Sequence, residues 1–136
     1  MIFEREIVVR FEHCDAAGIM FYPRFYALVN EMVEDWFAVL GAPFKQLHVD
    51  KRKGVPTVKI DAEFQRPVRM GDRLHQSLQV RHIGHTSCRL LHEARVGGDV
   101  AAWFEHTIVY VDLDAMLAEE WPADLRTAIR LYLEQV

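Results

Sequence analysis

The chain has little with which to staple itself: its 136 residues include two cysteines, Cys14 and Cys88, with no CxxC spacing. A disulfide framework, a zinc ribbon and a thioredoxin-type redox pair all lose their basis, and free thiols are expected. Basic charge is scarce too, with 16 Lys and Arg against 20 Asp and Glu, a net charge of −4. No Arg-rich stripe interleaved with aromatics supplies the field that carries most nucleic-acid affinity, so no nucleic-acid partner is expected. No apolar run approaches the ~20 residues that cross a bilayer. The opening "MIFEREIVVRFEH" carries charges too early for a secretory leader, so a cytoplasmic protein without a membrane partner is expected. Repeats, low-complexity tracts and linkers are also lacking, and a single domain over 1–136 is expected.

What is present is clear hydrophobic periodicity. Residues 3–11 alternate, with Phe3, Ile7, Val9 and Phe11 sharing a parity with Arg5, which reads as a strand with one wet face. From Pro23 to Leu40 the period changes. Steps of 100° gather Phe25, Tyr26, Leu28, Val29, Met32, Val33, Trp36, Phe37, Val39 and Leu40 on one wide face. Pro23 suits the first turn of a helix, and Gly41 with Pro43 makes a stop. A basic connection, "KQLHVDKRKG", with room for a helical turn, leads to a second alternation. There Pro56, Val58, Ile60, Ala62 and Phe64 oppose Thr57, Lys59, Asp61, Glu63 and Gln65. "RPVRMGDR" and "IGHTS" read as turns bounding strands Leu74–His82 and Cys88–Val96, and "VGGD" as a tight hairpin into Ala101–Val111. A last helix runs from Pro122, with Leu125, Ala128, Ile129, Tyr132 and Leu133 on one side. The order β-α-β-β-β-β-α predicts an α+β fold in which an antiparallel sheet wraps one long, mostly buried helix.

Asp15 follows the first strand and precedes the helix by a few residues. Two readings stand: a turn residue making an Asx-turn, or a carboxylate facing the unpaired N–H groups of the helix start at Tyr22, with Gly18 shaping the loop between. The run His13, Cys14, Asp15 is no catalytic relay, because neighbours in extended chain point to opposite faces. His82 and His85 straddle a glycine turn without a matching carboxylate or thiolate pair, so no metal is expected. Asn30, at the margin of the helix's apolar face, either satisfies a backbone group or reads a ligand. Arg81, His85 and Arg89, with Thr86 and Ser87, form either a solvated hairpin end or a phosphate site.

The stretch "FEHCDAAGIMFYPRFY" resembles the active-site motif of the 4-hydroxybenzoyl-CoA thioesterase family of the hotdog fold. "LGAPF" and "GVPTVKIDAEFQRPVRMGD" extend the likeness over nearly the whole chain. The resemblance implies that Asp15 is the catalytic carboxylate, a nucleophile through a mixed anhydride or a general base on water. It implies that the Tyr22 N–H polarises the thioester carbonyl and that Gly18 belongs to the same substrate-binding loop. Val55, Pro56 and Thr57 would line the acyl pocket with Asn30. His85, Thr86 and Ser87 would meet the CoA phosphates, although they replace a more basic family pattern, and the neighbouring Arg81 and Arg89 are expected to join them in binding CoA.

The implied function is hydrolysis of an acyl-CoA, with a benzoyl or 4-hydroxybenzoyl group ahead of a short chain, by a homodimer assembling to a homotetramer. No cofactor is implied. A non-catalytic acyl-CoA sensor would need the pocket but not Asp15. Hydratase chemistry would want a His/Asp pair across the acyl chain, and the motif offers no such histidine.

Overall fold

The computed structural model describes residues 1–135. Strand β1, Phe3–Val8, is followed by a single 3-10 turn at Phe11–His13 and by helix α1, Tyr22–Val39. A widened helical turn, Lys45–Asp50, leads to the short β2, Lys53–Gly54. Four longer strands come next: β3 Thr57–Phe64, β4 Arg73–Ile83, β5 Ser87–Val96 and β6 Asp99–Val109. The short β7, Val111–Asp112, and β8, Leu117–Ala118, precede α2, Ala123–Arg130.

One antiparallel sheet has the order β1-β4-β5-β6-β3, and β2, β7 and β8 form a separate ribbon. Strands β4, β5 and β6 are joined by hairpins. The β5–β6 turn needs Gly97 and Gly98, which adopt φ of 59° and 86° and match the right-handed twist of the flanking strands. The expected turn between β3 and β4 is instead a crossover. Among the described residues strand β3 pairs only with β6, and β4 lies across the sheet beside β1. The crossing segment keeps Val68 buried and receives the Met20 N–H on the Val68 carbonyl at 2.7 Å.

Helix α1 buries Phe25, Leu28, Val29, Met32, Val33, Trp36 and Phe37, the spacing of one helical stripe. Its second half packs with Leu78, Val80, Leu90 and Ile108, and its first half with Leu74, Ala94, Ala102 and Phe104. The stripe is narrower than the periodicity suggests. Val39 lies beyond the last buried pair and is 62% exposed. Helix α2 and the residues after it close one end of the core, with Tyr132 edge-on to Trp36 at 5.5 Å between ring centroids.

Two further expectations change. β1 ends at Val8, and the 3-10 turn throws Phe11 outward to 80% exposure. In β3 a bulge between Thr57 and Lys59 breaks the alternation, so Thr57 lies opposite Ile108 and Ile60 opposite His106, with Val58 the extra residue at 60% exposure. The inward residue at the start of this strand is therefore Thr57 rather than Val58.

Phe37 is fully buried between Trp36 and Phe44. Phe37→Ala is expected to destabilise the fold by about 3–5 kcal/mol through lost transfer energy and the cavity left behind, read as a lower urea midpoint at unchanged m-value.

Candidate active site

Asp15 sits at the tip of a small hairpin. Its N–H donates to the Ile19 carbonyl and the Gly18 N–H donates to the Asp15 carbonyl, both at 3.0 Å, while Cys14 and Met20 bridge below. Gly18, at φ 78°, occupies a backbone region that side chains rarely adopt, so glycine lets the tip close without strain. The Ala17 N–H donates to Asp15 Oδ1 at 2.9 Å, an Asx-turn. The carboxylate is exposed, and among the described residues Oδ2 has no partner. The turn reading and the carboxylate reading are thus compatible, since one oxygen fixes the turn and leaves the other free.

The hairpin is anchored on both sides. The Phe21 N–H donates to the His13 carbonyl at 2.9 Å, and the Met70 N–H reaches the Gly18 carbonyl at 3.4 Å. Tyr22 then opens α1. Its N–H has no partner within the helix by position, and no backbone carbonyl among the described residues takes it. With Pro23 next in line, Tyr22 offers an isolated donor at the positive end of α1.

Asn30, Val55, Pro56 and Thr57 come together around an open cavity of about 330 Å³. Val33, Phe44, Ile108 and Leu113 give it apolar walls, and His48 and His106 join them. The wall near Gly54 is tight: a Cβ there would lie 3.0 Å from Leu113 Cδ2 and 3.4 Å from His48 Nε2. His48 Nδ1 lies 2.9 Å from the Phe44 carbonyl, which accepts only, so Nδ1 carries a proton and donates it there. Asp15, Gly18 and Tyr22 do not line this cavity.

The two histidines on the inner face of the sheet were not among the expected site residues. His106 Nε2 is 2.7 Å from Thr57 Oγ1, and its Nδ1 is 3.3 Å from His92 Nε2. Their sequence signal is a polar residue on a buried parity: His92 follows Cys88 and Leu90, and His106 lies between Phe104 and Ile108. Burial pushes the His92 pKa down, and a charge on His106 would push it further. Burial lowers His106 to about 4.

The expected CoA residues divide into two groups. Arg81 and Arg89 converge on Glu105, at 3.7 and 3.6 Å, and Arg81 also meets Glu134 at 3.2 Å. His85 and Thr86 lie on the β4–β5 turn and Ser87 opens β5, docked against α2 and the segment before it. There the Trp121 Nε1–H donates to the Ser87 carbonyl at 3.0 Å, and the Arg126 guanidinium donates to the carbonyls of Gly84 and His85. His85 itself is exposed, 3.8 Å from Glu120. The arginines are therefore compensated by carboxylates in the single chain.

Residues 9–129 match the family model described as the thioesterase-like superfamily. A 1,4-dihydroxy-2-naphthoyl-CoA hydrolase of Synechococcus elongatus is 31% identical over 84 residues, which are 61% of this chain and 62% of the relative. That match spans less than two thirds of the relative's length. The corresponding hydrolase of Nostoc punctiforme is 26% identical over 125 residues, covering 92% of this chain and 84% of its own. Among solved structures, a gentisyl-coenzyme A thioesterase superposes with a TM-score of 0.84 at 28% identity, covering 93% of this chain and 98% of that one. These relatives carry naphthoyl and gentisyl names rather than the 4-hydroxybenzoyl name that the motif suggests.

The buried histidines give a signed pH dependence. Unfolded, both take up protons near the ordinary value of about 6.5, whereas folded they stay neutral well below it. Their contribution to stability is fully present above pH 6.5 and is lost as the pH falls toward 4, at up to about 1.4 kcal/mol per pH unit for each. Urea midpoints measured from pH 7 to pH 5 should fall accordingly, and His92→Leu should flatten the slope.

Proposed function

The chain belongs to the thioesterase-like superfamily, and on that premise we propose that it hydrolyses the CoA thioester of an aromatic acid to the free acid and CoA. The observation that carries this reading is the Asp15 hairpin: a carboxylate with one oxygen fixed by the Ala17 N–H and one free, leading directly into the unpaired N–H of Tyr22. A carbonyl oxygen docked on that N–H is polarised by a hydrogen bond and by the end of α1. Oδ2 then either attacks the carbonyl carbon, giving a mixed anhydride that water opens, or takes a proton from the attacking water. In both cases the C–S bond breaks and CoA leaves as the thiolate.

The cavity at Asn30, Val55, Pro56 and Thr57 is the acyl site in this reading, its Val33, Phe44 and Ile108 walls suiting an aromatic ring. The names of the relatives support an aryl group over a straight chain. Arg81 and Arg89 would trade Glu105 for CoA phosphates, beside the turn at His85, Thr86 and Ser87.

Two copies are needed to bring the parts together. Tyr22 and Asn30 lie eight residues apart on α1, about 12 Å along its axis, more than one aromatic ring spans. Strand β3 leaves one edge unpaired, with Val58 and Phe64 exposed. A twofold axis through paired β3 edges, normal to the sheet, sets the two α1 helices antiparallel. The Asp15–Tyr22 end of one copy then faces the Asn30–Thr57 cavity of the other. A homodimer is the minimum active unit, able to pair again as a tetramer.

Asp15→Asn keeps the Oδ1 acceptor of the Asx-turn and so leaves the hairpin intact. It should lower kcat on aryl-CoA thioesters by at least ~100-fold, with affinity for a non-hydrolysable phenacyl-CoA thioether unchanged. Full turnover in this variant would return Asp15 to a turn residue only. Sedimentation of the active protein should give a multiple of the 15.9 kDa chain mass, and an active monomer would contradict the two-copy site.

A further inference from the structure

The mechanism leaves His92 and His106 without a role, although they run in a row from the core to Thr57 at the acyl cavity. Thr57 Oγ1 and His106 Nε2 are 2.7 Å apart, and His106 Nδ1 and His92 Nε2 are 3.3 Å apart. His92 is buried, and among the described residues its Nδ1 has no hydrogen-bond partner. That orphan sets the direction of the whole row. A proton on His92 Nδ1 would be a buried donor with nothing to receive it, which folded proteins avoid more strictly than an idle lone pair. The proton therefore belongs on His92 Nε2, which donates to His106 Nδ1. His106 in turn carries its proton on Nε2 and donates to Thr57 Oγ1. With its oxygen already accepting, Thr57 turns its O–H toward the cavity it lines.

We propose that His92 and His106 are positioning residues that make the Thr57 hydroxyl a donor aimed into the acyl cavity, so that the site selects aromatic acyl groups bearing an oxygen acceptor. A hydroxyl, phenolate or oxo oxygen on the ring supplies that acceptor. The identification of the ligand as an acyl-CoA rests on the thioesterase reading, whereas the direction of the hydrogen bonds does not. An unsubstituted ring would displace water from Thr57 and leave a donor unpaired, and a site built to hydrogen-bond an oxygen rejects the analogue that lacks it. The β3 bulge makes the arrangement possible, since without it Thr57 would face the opposite side of the sheet from His106.

The tautomers are tested by nitrogen-15 NMR of the histidine rings of the intact protein near pH 7. Neutral Nε2–H rings are expected for both His92 and His106, and an Nδ1–H or charged ring at either position overturns the proposal. Selectivity is tested by affinities for phenacyl-CoA and its ring-hydroxylated thioethers, which cannot be hydrolysed. The wild-type protein should favour one of the hydroxylated ligands by at least ~10-fold. Thr57→Val should erase that preference, weakening the hydroxylated ligand and tightening the unsubstituted parent, whose ring no longer strands a donor, and Thr57→Ser should retain it. No preference in the wild type, or one that survives Thr57→Val, overturns the proposal. The tautomer and the wild-type preference need no variant to fold. Hydrolysis of the matching thioesters is assayed alongside: binding preference without turnover sinks the thioesterase reading while sustaining this one.

Discussion

Seven side chains of α1, from Phe25 to Phe37, go into the inner face of the sheet, and each polar group on that face is costly to leave unmatched once they do. Arg5 on β1 shows the cost being met. Its Nε donates to Gln76 Oε1 at 2.8 Å, and its guanidinium reaches Glu31 and Asp35 on α1 at 3.3 and 3.2 Å. Elsewhere on the sheet His92 and His106 face the same core and, among the described residues, are matched only by each other and by Thr57. A buried stripe thus determines which polar residues are structural and which are left pointing into the cavity beside the helix.

The start of β3 is where packing becomes chemistry. The bulge at Thr57–Lys59 adds the local twist expected of such an insertion and exchanges Val58 for Thr57 on the inner face. The same strand forms one edge of the sheet and contributes Thr57 to the cavity that Asn30 and Val55 also line. At the opposite end of α1, the crossover from β3 to β4 supports the Asp15 hairpin through Met20 and Gly18. The residues after β3 therefore brace the Asp15 loop.

Much of this was legible in the chain. The 3.6-residue stripe of α1, the helix start beside Pro23, the Gly97–Gly98 hairpin and the clustering of Asn30 with Val55, Pro56 and Thr57 all follow from local pattern or motif. What escaped has a common physical origin in pairing between distant segments. The β3–β4 connection reads as a turn because Gly71 and the polar residues around it are the same for a hairpin and a crossover. The bulge is invisible to alternation, since Val58 and Thr57 have similar shapes and differ in which neighbour, solvent or His106, they meet. Phe11 and Val39 follow the apolar pattern but fall just past the point where the sheet or helix leaves the core.

The claim on which the functional account turns is that Asp15 and Tyr22 of one copy act on an acyl group held in the Asn30–Thr57 cavity of another. Complementation tests it most directly. Asp15→Asn removes the carboxylate, and Asn30→Trp, at an exposed helix position on the cavity rim, blocks the acyl site. Each variant alone should be inactive. Unfolded and refolded together in equal amounts, half of the dimers are mixed and each mixed dimer holds one intact site, so turnover should recover to about a quarter of the wild-type value. No recovery above the separate variants, with mixed dimers shown to form, would place carboxylate and cavity in the same chain and contradict the two-copy site.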